Sequence, residues 1–301
     1  MPDKLDRGLM FVAPPGLWGS NFHPLRLLAD TELAEIKAAV GGARQFYSVS
    51  NGVGLIPLKG LMVKDPIWMG ETSTIAATVA VKQAAADKAV KSIMLVVDSP
   101  GGEVIGIKEL SNAIYQARAV KPVVAQVDGL AASAAYWAAS QASRIVAHEL
   151  DAVGSIGVYG LVVDNSKMYE NMGVKVHLVT TGKFKGADEV GQPVTDAQLK
   201  DRQRVVNVFF DAFVNDIMRG RSMTREAVMA VADGRLWIGA ENVANRLIDG
   251  VSDFSATFAN LAAAGQSPDG RLSAKMAGAS LALAEMEAGA HSRGLSLGKT
   301  K

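Results

Sequence analysis

The stretch Ile93-Met-Leu-Val-Val97, followed by Asp98-Ser-Pro-Gly-Gly102, decides the fold class of this chain. A continuous apolar run that ends in a Pro-Gly-Gly turn predicts a short strand buried on both faces. The amphipathic residues 103–117 behind the turn predict a helix. A strand, a tight turn and a helix in this order form one unit of a parallel α/β sheet.

The same pattern of short apolar runs and amphipathic segments continues from residue 54 onward, which indicates several βαβ units. The predicted strands span 55–58, 93–97, 123–127, 145–147, 156–161 and 176–179, and the predicted helices span 73–89, 103–117, 131–142, 164–172 and 196–219. Thr195 and Gln198 form a possible capping box for the last helix. Its apolar stripe is interpreted as packing and consists of Leu199, Val206, Phe210, Phe213 and Ile217. The predicted class is α/β, with a parallel sheet flanked by helices.

Composition divides the chain into three regions. Residues 1–50 mix proline and glycine with a short helical stretch at 31–40, and we interpret them as an N-terminal extension. Residues 51–260 carry the α/β pattern and form the main domain. From 261 to 301 the composition shifts to Ala, Gly, Ser and Lys, which predicts a flexible tail.

The charge balance and the residue counts exclude several classes of function. Lys and Arg number 31 against 30 Asp and Glu, and no basic stripe interleaved with aromatics is present, so we expect no nucleic-acid partner. The chain has no cysteine and only four scattered histidines, so we expect neither a metal nor a cofactor. It lacks an apolar stretch of about 18 residues and an apolar signal core, so we expect no membrane span and a cytoplasmic location.

Two motifs at predicted strand ends suit the stabilisation of an oxyanion. Gly101 and Gly102 follow one strand, and glycines at such a point leave backbone N–H groups unobstructed. Ser133 follows the strand 123–127 in Ala132-Ser133-Ala-Ala-Tyr136, at the predicted start of a helix. Free N–H groups and the helix dipole favour negative charge there. Each motif alone is also typical of an ordinary turn or helix start.

A serine nucleophile needs a base, and Lys185 in Gly182-Lys-Phe-Lys185 is the candidate. A lysine can accept a proton near neutral pH only where burial lowers its pKa, and Lys185 comes just after the predicted strand 176–179. Residues 186–193 hold two glycines and a proline and predict a mobile gate over the site, although an ordinary connection is equally compatible with them.

These motifs, taken in order, resemble the signal peptide peptidase A family of Ser/Lys serine peptidases, with its phage capsid-assembly protease branch favoured. Besides the three motifs already quoted, the resemblance includes Gly154-Ser-Ile-Gly-Val158, Gly234-Arg-Leu-Trp-Ile-Gly239 and Leu247-Ile-Asp-Gly250, and it covers about 55–255. It implies a Clp/crotonase-like fold for the domain 51–260 and hydrolysis of peptide bonds without metal or cofactor.

The resemblance also implies roles for individual residues. Ser133 corresponds to the nucleophile and Lys185 to the general base, and the N–H groups of Gly101 and Ala134 correspond to the oxyanion donors. It leaves the choice between Gly101 and Gly102 open. Cellular members have Gly-Gly after the nucleophile, whereas this chain has Ala134-Ala135, which keeps the required N–H.

Three alternative readings have their own sequence features. His148 could replace the lysine, as histidine does in the related Clp proteases, although it falls earlier in the chain than their catalytic histidine. A crotonase-like acyl-CoA enzyme would use the glycine turn but not Ser133 and Lys185. A non-catalytic assembly or scaffold protein is suggested by the tail 261–301.

The phage branch implies polypeptide substrates such as capsid scaffold, portal or coat proteins, and the chain's own tail. The corresponding location is the cytoplasm or an assembling prohead within it. The family also implies a homo-oligomer, with a ring as the expected form. A signal peptide peptidase-like enzyme that degrades peptides in the cytoplasm is the alternative within the same family.

Overall fold

The computed structural model describes residues 11–12, 47–66 and 68–266. The helix predicted at 31–40 and the region 267–301 lie outside these residues. The strands are β1 (Phe11–Val12), β2 (Ser48–Ser50), β3 (Val53–Lys59), β4 (Met62–Val63), β5 (Thr72–Ser73), β6 (Ser92–Ser99), β7 (Gly102–Glu103), β8 (Val123–Ala132), β9 (Arg144–Ala147), β10 (Ala152–Gly154), β11 (Leu236–Ile238) and β12 (Gly250–Val251). The helices are α1 (Thr74–Ala86), α2 (Ile107–Ala117), α3 (Ala134–Ala139), α4 (Ser166–Asn171), α5 (Asp196–Arg221), α6 (Arg225–Met229), α7 (Ala240–Ala244) and α8 (Phe254–Gln266).

A mostly parallel sheet forms the centre of the fold. Its main order is β11-β10-β8-β6-β3-β2, with β9 beside β8 and β12 beside β9. The β3, β6 and β8 strands pair in parallel, whereas β2 and β11 are antiparallel edge strands. A small second sheet has the order β1-β7-β4-β5. The predicted α/β class, a parallel sheet flanked by helices, is confirmed.

The β6 strand has hydrophobic clusters on both of its faces, which explains why its residues 93–97 are continuously apolar. Ile93, Leu95 and Val97 face the larger hydrophobic cluster, and the alternate residues Met94 and Val96 face a smaller cluster on the opposite side. Helices α1, α2, α3 and α5 pack into the larger cluster, and α8 covers the smaller one. Both faces of the strand are therefore shielded from water, as expected for a parallel sheet.

The boundary predicted at residue 260 falls inside α8. Leu261 and Ala262 are buried in the smaller cluster, with Phe258 packed against it. These residues lie three and four positions apart, so they share one helix face. The packed domain thus extends to at least Ala262. Alanine-rich composition alone did not distinguish this docked helix from a tail.

Residues 157–193 form a segment that we call the arm, and it differs from the prediction. Strands were expected at 156–161 and 176–179, but the structure has no strand there, and α4 is the arm's one helix. Within the arm, Ala187 is the one residue classed as buried. A strand needs a neighbouring strand to which its backbone can hydrogen-bond, and the described residues of this chain provide no such partner strand for the arm.

Among the described residues, no helix combines the length and the apolar character that crossing a membrane would require.

Candidate active site

Ser133 lies at a sharp turn between β8 and α3. Its backbone has φ 55° and ψ −120°, which a residue with a side chain rarely adopts, and it is 2% exposed. The Ser133 N–H donates to the Gly154 carbonyl at 2.8 Å, and the Trp137 N–H donates to the Ser133 carbonyl at 2.9 Å. Strain of this kind costs about 1–3 kcal/mol and persists where the surroundings fix it. Every residue of α3 is buried, so those surroundings are rigid.

Gly101 contacts this turn directly. Its φ is +96°, and a Cβ atom there would lie 2.8 Å from the Ala132 carbonyl oxygen, the Ala134 nitrogen and the Ser133 Cβ. A Cβ on Gly102 would instead overlap the Met62 backbone on β4. Both positions therefore require glycine, but for different reasons. Gly101 borders Ser133, whereas Gly102 lets β7 and β4 pair.

The predicted oxyanion donors differ in their present hydrogen bonds. Ala134 is the first residue of α3, where N–H groups have no acceptor within the helix. The Gly101 N–H donates to the Ser99 hydroxyl at 3.1 Å, and that hydroxyl donates to the Gly60 carbonyl at 2.5 Å. For the Gly101 N–H to bind an oxyanion, its bond to Ser99 must break or be shared.

A cavity of about 680 Å³ opens beside Ser133. One wall is the chain leaving β10, from Ser155 to Tyr159, and the facing wall is α5. The helix contributes Gln203, Val206, Asn207 and Phe210. The apolar stripe of α5 therefore contributes both to the core and to the cavity. Phe213 and Ile217 are buried in the core, and Val206 and Phe210 line the cavity. Such a partly apolar cleft next to a hydroxyl can hold a segment of polypeptide.

Ser155 is a residue of the site to which sequence reasoning assigned no role. It lines the cavity with Ser133 and also has a positive φ, 50°. Its N–H donates to the Arg235 carbonyl at 2.8 Å. The carbonyl of the neighbouring residue Gly154 accepts the hydrogen bond from the Ser133 N–H. The signal was the motif Gly154-Ser-Ile-Gly-Val158, which was noted as a resemblance but not analysed for side-chain chemistry.

Lys185 does not lie at the cavity. It is exposed in the arm, its N–H donates to the Gly182 carbonyl at 3.1 Å, and its ammonium has no hydrogen bond or ion pair with the described residues. The prediction that it follows a buried strand is wrong for this single chain, because 176–179 is exposed and forms no strand. The structure brings Ser133, Gly101 and Ala134 together, but not Lys185.

His148 is also exposed, on the connection between β9 and β10, and it does not line the cavity. Its backbone N–H donates to Asp151 at 2.7 Å. Among the described residues, no three His, Asp or Glu side chains are grouped in a way that could hold a metal ion.

Comparison with known proteins gives several relatives, most of which are named as proteases. A putative protease of Methanocaldococcus jannaschii is 33% identical over 55% of this chain and 53% of its own. The head-tail preconnector protein of Enterobacteria phage P21 is 28% identical over 76% of this chain and 47% of its own. The capsid assembly protease of Escherichia phage lambda is 33% identical over 46% of this chain and 33% of its own. The chain thus spans about half or less of the length of these curated relatives.

A solved enoyl-CoA hydratase/isomerase family member covers 74% of this chain at 15% identity with a TM-score of 0.46, a likeness too weak to carry an inference. The family model described as peptidase family S49 matches residues 115–266, which is half of the chain and includes Ser133, Ser155 and Lys185. The predicted family resemblance is thereby confirmed, and the chain belongs to peptidase family S49.

Proposed function

We propose that this chain is a serine endopeptidase in which Ser133 is the nucleophile and Lys185 the general base. The observation that carries the proposal is the strained position of Ser133 at the start of α3, on the wall of the cavity and against Gly101. Serine nucleophiles in other enzymes occupy comparable strand-to-helix turns, because such turns point the hydroxyl at the substrate.

In the proposed reaction, neutral Lys185 takes the hydroxyl proton of Ser133, and the serine oxygen attacks the peptide carbonyl. The Ala134 N–H and the Gly101 N–H, once freed from Ser99, stabilise the tetrahedral oxyanion. The protonated lysine then gives its proton to the leaving amine. Water hydrolyses the acyl-enzyme with the lysine again acting as base, and this returns the serine hydroxyl.

Lys185 is exposed and does not lie at the cavity beside Ser133, so one copy of the chain does not bring the two dyad residues together. A second molecule would have to bring a lysine to Ser133. Two contacts join the arm to the segment that follows it: the Val194 N–H donates to Asp164, and Arg202 of α5 pairs with Asp188. Within the arm, the Gly191 N–H donates to Asn165. These bonds hold the arm in its present place on its own chain. We therefore propose a homo-oligomer in which Lys185 of one copy serves Ser133 of a neighbouring copy.

The surface of the arm supports an oligomer. Large apolar side chains are exposed along it, namely Leu161, Val163, Met168, Met172, Val174, Val176, Leu178, Val179 and Phe184. A soluble monomer rarely exposes so many large apolar side chains in one segment, because each side chain costs free energy in water. A second copy packed here would cover them and would also remove water from around Lys185.

The proposed substrates are polypeptides of a phage or prophage capsid, such as scaffold, portal or coat proteins. Two relatives support this branch by their names, a head-tail preconnector protein and a capsid assembly protease. The corresponding location is the host cytoplasm or the prohead assembled there. Degradation of peptides by a signal peptide peptidase-like enzyme is the alternative within the family, since relatives with that name also match.

The decisive experiment measures peptide cleavage by the intact protein and by Ser133→Ala, Lys185→Ala and His148→Ala. We expect the first two to lose nearly all activity while keeping the wild-type melting temperature, because residues that act as one unit fail together. His148→Ala should remain active. Normal turnover in Ser133→Ala would refute Ser133 as the nucleophile, and no cleavage by the intact protein would favour a scaffold role.

Mixing the two inactive variants tests where the lysine comes from. In a random mixed oligomer, half of the copies have an intact serine and half of their neighbours an intact lysine, so roughly a quarter of the sites should recover activity. A dyad within one chain would recover none. Refolding each variant alone is the control.

A further inference from the structure

Asp216 of α5 is a nearly fully buried carboxylate that the proposed reaction does not use. Its residue is 2% exposed, and it lies where α2, α3 and α5 meet. One carboxylate oxygen accepts the Trp137 indole N–H at 2.7 Å. The other accepts from Lys108 at 2.5 Å and lies 3.2 Å from Arg219. Burial of a carboxylate costs free energy, and these three partners offset that cost. A role beyond packing would explain why a charged residue lies here.

Trp137 connects this carboxylate to the strained turn. Its backbone N–H closes the first helical hydrogen bond onto the Ser133 carbonyl, at 2.9 Å. Its ring is 1% exposed and stacks on Phe213, with centroids 4.6 Å apart and planes 6° from parallel. With the hydrogen bond to Asp216, both the position and the in-plane rotation of the indole are fixed. The first turn of α3 therefore cannot shift without breaking these contacts.

The same helix also reaches the cavity. Phe210 and Val206 line it, about one turn and two turns before Phe213 along α5. A movement of α5 would change the cavity wall and the support of Ser133 together. Helix α3 alone has six residues, too few to hold a strained turn by its own hydrogen bonds.

We propose that Asp216 is a positioning residue: through Trp137 it fixes the first turn of α3, and thereby the Ser133 hydroxyl and the Ala134 N–H, for attack on the substrate. This inference rests on the proposed function, because it assigns Asp216 a role in that same reaction. Asp216 does not touch the reacting atoms. Its effect is on alignment, and so on the transition state more than on substrate binding.

The test compares two variants that break the bond between Asp216 and Trp137 with two that leave it intact. Asp216→Asn leaves one acceptor oxygen; when that oxygen faces Lys108 and Arg219, the amide NH2 faces the Trp137 N–H and cannot accept it. Trp137→Phe keeps a ring for stacking on Phe213 but has no N–H. Lys108→Met removes another partner of the same carboxylate. Thr257→Val removes a buried hydrogen bond to Gln126, 2.6 Å long, on the opposite face of the sheet.

Each variant is measured well below its melting temperature for kcat, KM and affinity for a peptide boronate, which forms a tetrahedral adduct on serine. We expect Asp216→Asn and Trp137→Phe to lower kcat by ~10- to 100-fold and to weaken boronate binding in parallel, with KM unchanged. Lys108→Met and Thr257→Val should keep wild-type kcat, even where their melting temperatures fall as much as those of Asp216→Asn and Trp137→Phe.

Unchanged kcat in either bond-breaking variant would overturn the positioning role, as would an equal loss in Thr257→Val at the same melting temperature. If Asp216→Asn does not fold, Trp137→Phe provides the same test. Full activity in Ser133→Ala would instead refute the proposed function. The two failures therefore have different signatures.

Discussion

Replacing Gly101 by alanine should damage the nucleophile turn far more than an equally strained substitution elsewhere. Gly70 is the matched control, because its φ is +94° against +96° at Gly101, and a Cβ on Gly70 would have no atom within 4 Å. Both variants therefore carry the same cost of placing a side chain at positive φ, about 1–2 kcal/mol. Of the two variants, only Gly101→Ala also places its new Cβ atom in contact with the turn at Ser133.

The size of that contact follows from the distances. The new Cβ would lie 2.8 Å from three atoms of the turn, whereas ordinary contacts begin at 3.4 Å. Either residue 101 or the turn 132–134 must therefore move by about 0.6 Å. The turn resists this movement because every residue of α3, which begins at Ala134, is buried. A displacement approaching 1 Å in a reacting group can reduce the rate on the order of 10- to 100-fold.

The assay measures kcat on a peptide substrate and the free energy of unfolding in denaturant for both variants. We expect Gly70→Ala to lose about 1–2 kcal/mol of stability with normal kcat. Gly101→Ala should lose more stability and, under conditions where it is folded, most of its kcat. A Gly101→Ala enzyme with the kcat of Gly70→Ala would show that the contact with Ser133 does not govern its alignment.

Three further predictions concern other parts of the chain. A chain ending at Gln266 should keep the wild-type melting temperature, whereas one ending at Asn260 should lose several degrees, because it lacks the buried Leu261 and Ala262; thermal unfolding of both checks this. Burial raises the pKa of Glu103, so the unfolded chain ionises first as pH rises, and stability is lost as pH rises from the unfolded value near 4.5 through the folded pKa. Glu103→Gln should therefore raise the melting temperature at neutral pH, and the gain should vanish below about pH 4.5; a gain that persists at acid pH would contradict this cause. If 186–193 is a gate, limited proteolysis should cut there in the free protein and not after a covalent inhibitor occupies Ser133, whereas equal cutting in both states would argue against a gate.

The predictions that succeeded rest on local patterns. The capping box of Thr195 and Gln198 is present, with both reciprocal hydrogen bonds, and α5 begins at Asp196 as expected. The strand predicted at 93–97 lies within β6, where burial on both faces of the sheet stabilises five apolar residues in a row. Such features involve residues that are neighbours in sequence, so their spacing contains the information.

The strand predictions at 156–161 and 176–179 failed for the opposite reason. Alternating apolar residues such as Val174, Val176 and Leu178 indicate an extended chain with one face to cover, but they do not say what covers it. In this chain the arm has no strand beside it. The pattern predicted a strand, and the missing neighbour could not be predicted from it.

By itself, the sequence determined the α/β class, the family and the small set of residues around Ser133, because each is encoded in a short motif with a defined backbone requirement. Only the tertiary structure decided how these motifs meet. It placed Gly101 against Ser133 across two parallel strands, added Ser155 to the cavity, brought Asp216 under Trp137 from 79 residues away, and left Lys185 outside. Contacts of this kind depend on packing between distant segments, which no local spacing specifies.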